Sequence, residues 1–186
     1  MIDKVVGVLA IQGDFQAHIA TLEKIGVDHK EIRTSNDLVG ITHLIVPGGE
    51  STTIRKISKS NGLWQKLARF EGPVMGTCMG SVIMSREIEA PKDDALGLID
   101  MTVRRNAYGR QINSFAADGR IKFLTEPFEM VFIRAPKITR MGKDVEPIAW
   151  LGDDITGVMS GNKIAFTFHP ELSDSAGIHE FFIGLT

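Results

Sequence analysis

The chain has a single cysteine, Cys78, in 186 residues. One thiol excludes an intramolecular disulfide and fits a reducing compartment. Neither sign of charge dominates: the formal net charge is −2, so there is no general basic field for nucleic acid or an anionic membrane. No apolar run approaches the length needed to cross a bilayer. Residues 5–11 are apolar, but they lack a basic flank and Gln12-Gly13-Asp14 interrupts them, which argues for a first strand rather than a signal peptide. Internal repeats, low-complexity tracts and linkers are missing. So is any His/Cys/Asp/Glu set with metal-ligand spacing, so no metal and no cofactor is expected. A globular chain in the cytoplasm remains, and its length favours one domain over residues 1–186.

What is present centres on that cysteine. Cys78 lies in Gly76-Thr77-Cys78-Met79-Gly80, a Gly-x-Cys-x-Gly pattern. Residues 73–75 read as a short buried strand and residues 81–87 as the start of a helix. A nucleophile between glycines at a strand-to-helix turn has the geometry of an elbow. The turn leaves no room for flanking side chains, and the helix N-terminus favours the thiolate. The competing reading of a lone cysteine is a small buried hydrophobe. Deciding between them requires a base and an orienting acid elsewhere.

Upstream, residues 5–11, 27–32 and 43–46 read as strands alternating with helices, the pattern of a parallel sheet covered on both faces. Phe15, Ile19, Leu22 and Ile25 recur at helical spacing, with Asp14 as the expected N-cap. Ligands in such sheets bind beyond the carboxyl ends of the strands. The Cys78 elbow lies there, and so does Pro47-Gly48-Gly49-Glu50-Ser51-Thr52-Thr53. The two glycines let backbone N–H groups approach an oxyanion, and Ser51 or Thr52 can cap the following helix. The same residues also suit a plain turn; the Gly-Lys-Ser/Thr ending of a P-loop is absent.

Downstream, residues 98–103 read as a strand that enters Arg104-Arg105-Asn106-Ala107-Tyr108-Gly109-Arg110-Gln111. Three arginines in one loop suit an acidic substrate group, or a solvated basic surface. Residues 130–133, 145–151, 155–159 and 164–168 read as further strands, several joined by hairpin turns. A final helix is expected over about residues 175–185, capped by Ser173 or Asp174. The last strand ends at Phe168-His169-Pro170-Glu171. His169 has the chemistry of a general base, and in an extended segment Glu171 would share its side and orient the ring. The alternative is a strand end with a surface glutamate. His18, His29, His43 and His179 have no partner spacing and read as structural or surface residues.

Together these stretches resemble the class I (triad) glutamine amidotransferases. Within that class they resemble the glutaminase subunits of pyridoxal 5′-phosphate synthases. The resemblance rests on the Pro47 loop, Gly76-Thr77-Cys78, Arg105 to Gln111, Phe132-Ile133-Arg134-Ala135-Pro136 and Phe168-His169-Pro170-Glu171-Leu172, in that order. It implies an α/β three-layer sandwich with a flavodoxin-like core, whose mixed, mostly parallel sheet has helices on both faces. It implies Cys78 as nucleophile, His169 as proton relay and Glu171 as its orienting acid. Gly48, Gly49, Glu50, Ser51, Arg105, Ile133 and Arg134 then correspond to contacts with L-glutamine, and Gly49 and Met79 to the oxyanion hole. The implied partner is a (β/α)₈-barrel synthase subunit, which receives ammonia in a large hetero-oligomer. Met79 departs from the alanine common after the nucleophile. Ser81, Met84 and Ser85 make the post-elbow helix more polar than usual, and the C-terminal helix stops early. Another class I amidotransferase or a γ-glutamyl hydrolase with the same triad is the alternative.

Overall fold

The computed structural model describes residues 4–89, 92–105 and 114–186. Strand β1, Val5–Leu9, is followed by helix α1, Phe15–Lys24, and strand β2, Asp28–Ile32. Strand β3, His43–Val46, leads into helices α2, Ser51–Ser60, and α3, Leu63–Ala68. Strand β4, Val74–Thr77, leads into the short helix α4, Met79–Met84. Strands β5, Ser85–Ile88, β6, Ile99–Arg104, β7, Ser114–Ile121, and β8, Phe128–Ile133, come next. Strands β9, Lys137–Met141, β10, Glu146–Leu151, β11, Asp154–Ser160, and β12, Lys163–Phe166, follow. A 3-10 turn, Pro170–Leu172, and helix α5, Gly177–Gly184, come last.

Among the described residues the main sheet has nine strands, ordered β2-β1-β3-β4-β12-β11-β10-β7-β8. The pairings from β2 to β12 are parallel, and those from β12 to β8 are antiparallel. The sheet is mixed, as expected, but its parallel pairings are half of the total rather than most of it. β12 is the join: it runs parallel to β4 and antiparallel to β11.

Buried strands carry apolar residues on both sides, and the alternation assigns each face. Leu44 and Val46 of β3 pack with Ile54, Leu63 and Leu67 of α2 and α3. Ile45, between them, points the other way and joins Ile19, Leu22, Ile178 and Phe182 of α1 and α5. Two helical layers therefore enclose the sheet. Each fully buried Leu, Ile or Phe contributes about 1.5–3 kcal/mol of transfer free energy.

A separate three-stranded sheet, β5-β6-β9, packs beside α4. The expected helix through residue 87 ends at Met84. The Ser85 hydroxyl donates to the Val82 and Glu87 carbonyls, and Ser85 takes an extended conformation. The cap assignments also differ from expectation. Asp14 makes no side-chain cap bond. Glu50, not Ser51 or Thr52, caps α2 by accepting from the Thr52 and Thr53 N–H groups. Ala176 occupies the N-cap of α5, with Ser175 rather than Ser173 or Asp174 accepting from Gly177 N–H.

Candidate active site

Cys78 terminates β4 with φ 49° and ψ −115°, a conformation that costs a non-glycine residue roughly 1–3 kcal/mol. Neighbouring bonds hold it there. Its N–H donates to the Phe166 carbonyl at 2.9 Å, and its carbonyl accepts from the Ser81 N–H at 3.1 Å and the Ser81 hydroxyl at 2.6 Å. The flanking glycines have a steric cause. A Cβ on Gly76 would lie 2.9 Å from the Gly80 carbonyl, and one on Gly80 would collide with the Val46 carbonyl. The elbow can fold only if α4 lies this close to β3 and β4.

His169 follows β12 and is buried, its N–H bonded to the Val131 carbonyl at 2.8 Å. Its ring lines the cavity with Cys78 and interacts electrostatically with the thiol. On the other side Nδ1 lies 2.8 Å from Glu171 Oε1. The local geometry behind this contact differs from expectation. Residues 170–172 form a 3-10 turn rather than an extended segment, and that turn folds the glutamate back to the ring. Burial works against a charged imidazole, but the interactions with Cys78 and Glu171 outweigh it and push His169 up to about 10. Burial raises Glu171, while His169 pulls it down.

Gly48 packs against both groups: a Cβ there would lie 2.6 Å from His169 Cε1 and 3.2 Å from Cys78 Cβ. Gly49 has φ 151°, which favours glycine. The glycine loop is tied to the loop after β1, where Asp14 N–H donates to the Gly48 carbonyl and Glu50 N–H to Gln12 Oε1. Glu50 lines the site, yet its carboxylate is engaged with Thr52 and Thr53.

A cavity of about 390 Å³ opens over the thiol, within the usual range for small-molecule sites. Gly49, Glu50, Ser51, Met79, Arg105, Ile133 and Arg134 line it together with Cys78 and His169. Gly48 lies beneath, against the two reactive side chains. The Cys78 thiol is 3.6 Å from the Ile133 carbonyl. Arg134 has φ 46°, a second strained residue at the same rim. Arg105 Nη2 meets Asp93 Oδ2 at 3.2 Å, while its buried Nε has no partner among the described residues. The rest of that basic loop, residues 106–111, lies outside the described residues.

Three further groups approach the site. Asp14 Oδ2 lies 3.5 Å from His169 Nδ1. With His169 and Glu171 it forms a set whose possible ligand atoms lie within 4.8 Å of one another, although no ligand spacing is visible in the sequence. His169 Nδ1 is already bonded to Glu171, which explains the cluster without an ion. The others are His18 and His179, both fully buried. His18 was legible in part, because it falls on the buried stripe of α1 beside Ile19 and Leu22. Nothing local ties it to residues more than 150 positions away.

The family model for the SNO glutamine amidotransferase family matches residues 8–185. The chain belongs to that family. Its relatives extend the match to almost full length. The protein called pyridoxal 5′-phosphate synthase subunit PdxT in Deinococcus radiodurans is 45% identical, covering 97% of this chain and 96% of its own. Its counterpart of the same name in Thermus thermophilus is 46% identical, with 97% of each chain covered. A solved structure described as a glutamine amidotransferase superposes with a TM-score of 0.91 at 41% identity, covering 96% of this chain and 97% of that one. In this family member the only cysteine stands at the cavity floor with a histidine–carboxylate pair behind it.

Proposed function

We propose that this chain is the glutaminase subunit of a pyridoxal 5′-phosphate synthase. It hydrolyses L-glutamine to L-glutamate and ammonia and supplies the ammonia to a synthase subunit. The observation that supports this most is the alignment of Cys78, His169 and Glu171 beneath one cavity, in a chain with full-length PdxT relatives.

Cys78 Sγ attacks the side-chain amide carbon. The C=O π pair moves onto oxygen, where backbone N–H groups of Gly49 and Met79 receive the negative charge. His169 hands its proton to the amide nitrogen, the C–N bond breaks, and ammonia leaves. The γ-glutamyl thioester then accepts water, with His169 removing the water proton as base. Collapse expels the thiolate, releases glutamate and regenerates the thiolate–imidazolium pair. Glu171 holds the His169 Nδ1 proton throughout, which directs Nε2 towards sulfur.

Arg105 is the natural partner of the substrate α-carboxylate, because its Nε is buried, unpartnered among the described residues and at the cavity wall. Gly48, Gly49, Glu50 and Ser51 form the opposite wall, with Ile133 and Arg134 at the rim. The Glu50 carboxylate caps α2, its N–H donates to Gln12 and its carbonyl accepts from Ile54 N–H, so Glu50 contributes to the wall by shape. A (β/α)₈-barrel synthase subunit, a large hetero-oligomer, one domain over the whole chain and a cytoplasmic setting complete this reading. Among the described residues no helix is long and apolar enough to cross a membrane.

The test is ammonia release from glutamine by the purified chain, alone and with a pyridoxal phosphate synthase subunit. Release that the synthase subunit stimulates, and that Cys78→Ala abolishes, is expected. Ammonia release surviving Cys78→Ala would overturn the mechanism. Full activity indifferent to the synthase subunit would move the chain to another amidotransferase or a stand-alone hydrolase.

A further inference from the structure

Two buried histidines stand behind the triad with no role in the chemistry above. α1 and α5 otherwise turn apolar residues inward: Ile19 and Leu22 from one, Ile178 and Phe182 from the other. His18 and His179 interrupt both stripes and meet, with His18 Nδ1 2.9 Å from His179 Nε2. The other ring nitrogen of His18, Nε2, faces the site. It lies 3.1 Å from Thr77 Oγ1, next to the nucleophile, and 3.3 Å from Glu171 Oε2.

The protons on this chain of groups can be assigned. His179 Nδ1 is buried without a partner among the described residues. A proton there would be an orphaned donor, the rarer and costlier defect in a protein interior. The His179 proton therefore sits on Nε2 and is donated to His18 Nδ1. That leaves the His18 proton on Nε2, pointing at Thr77 and Glu171. Thr77 Oγ1 takes the hydrogen bond, and Glu171 Oε2, which has no hydrogen-bond partner among the described residues, has the His18 N–H group 3.3 Å away.

We propose that His18 is a positioning residue for the glutaminase reaction, acting through Glu171, with His179 fixing its tautomer. The inference rests on the triad reading of Cys78, His169 and Glu171. His18 presents an N–H dipole to the carboxylate oxygen that His169 does not use. This keeps Glu171 ionised in a site where burial favours its neutral form, and keeps Oε1 turned to His169. A fixed Oε1 holds the His169 proton on Nδ1. The polarity runs in one direction, from His179 through His18 to Glu171. Burial holds both outer rings well below the usual imidazole range, so they stay neutral and the polarity does not reverse near neutral pH. The titratable groups that act on His18 are His179 on α5 and His169 and Glu171 after β12. Asp14, before α1, acts on Glu171 from the cavity side, and Cys78 acts on His169.

The test compares His18→Leu with His18→Gln in the chain assayed with its synthase subunit. Leucine removes the donor, whereas glutamine carries an amide N–H to about the position of Nε2. His18→Leu is expected to lower kcat by roughly 10- to 100-fold, the cost of leaving a buried charged group without the N–H dipole beside it. KM for glutamine should hold, and the acid limb of the pH profile should move upward because Glu171 protonates more readily. His18→Gln should recover most of kcat and return the limb. A purely structural role would lower the melting temperature of His18→Leu while leaving kcat and the pH profile as they were, and that result overturns the proposal.

Should His18→Leu fail to fold, nitrogen-15 NMR of histidine-labelled wild-type protein decides. A neutral His18 ring protonated on Nε2 supports the assignment, and a proton on Nδ1 or a charged ring overturns it. Cys78→Ala, run alongside, separates the two levels. Ammonia release by that variant would sink the triad itself, whereas an inactive Cys78→Ala beside an unaffected His18→Leu would sink only the role of His18.

Discussion

Gly48→Ala adds one methyl group where the cavity floor has no room for it. The backbone is not the obstacle, because Gly48 is absent from the positive-φ glycines. The obstacle is the ring of His169, whose Cε1 would lie 2.6 Å from the new Cβ, with Cys78 Cβ at 3.2 Å. Restoring the shortest ordinary van der Waals separation requires the ring or the loop to retreat by about 0.8 Å. The ring is held by Glu171 on one side and Cys78 on the other, so a retreat breaks the alignment of base and nucleophile. Misplacement of about 1 Å costs on the order of 100-fold in rate, or about 2.7 kcal/mol of barrier. Overpacking costs a further ~1–3 kcal/mol of stability. The assay is steady-state ammonia release with the synthase subunit, together with thermal unfolding. Gly184→Ala is the control, because a Cβ there meets nothing within 4 Å and an alanine suits α5. Wild-type kcat in Gly48→Ala would refute the argument that the glycine is required by the approach of His169 and Cys78.

Other outcomes follow from the same geometry. Cys78→Gly should unfold at a higher temperature than Cys78→Ala, by the equivalent of about 1 kcal/mol, because glycine relieves the strained elbow; equal melting temperatures would remove the strain argument. Arg105→Ala should raise KM for glutamine at least about tenfold with a smaller effect on kcat, as expected for loss of a charged contact to the substrate carboxylate; an unchanged KM would refute that role. Stability should fall at both ends of the pH range. His169 is raised to about 10 in the folded state, so its contribution is complete below the ordinary imidazole value near 6.5 and is lost as pH rises towards 10. His18 and His179 are depressed, so theirs is present above about 6.5 and is lost as pH falls, towards about 4 for His179. Urea unfolding against pH checks this: His169→Asn should flatten the alkaline limb, and replacing both His18 and His179 by leucine the acid limb.

The sequence by itself determined the elements whose pattern is local. Residues 44–46 are an unbroken apolar run, and the strand expected over 43–46 forms as β3 without a shift of either end. The Gly-x-Cys-x-Gly spacing specified the elbow, because only glycine tolerates the approach of Val46 and of α4. The joint match of the Pro47 loop, the elbow, Arg105 to Gln111, Phe132 to Pro136 and Phe168 to Leu172 indicated the family and the groups that would meet. Other features were not legible, for identifiable reasons. β7 alternates exposed Ser114, Ala116, Asp118 and Arg120 with more buried Phe115, Ala117, Gly119 and Ile121, but alanine on both faces and glycine on the inner one blur the hydrophobic signal. The break between α4 and β5 depends on hydrogen bonds of one serine hydroxyl. The contact of Glu171 with His169 was anticipated from an extended segment, yet it is made by a 3-10 turn. Tertiary structure alone decided that Asp14 would face His169 and that His18 would meet His179 and Glu171. Those contacts join residues over 150 positions apart. Such pairing is set by the order of strands and by which helices cover one sheet face, and neither is written in the periodicity of any single segment.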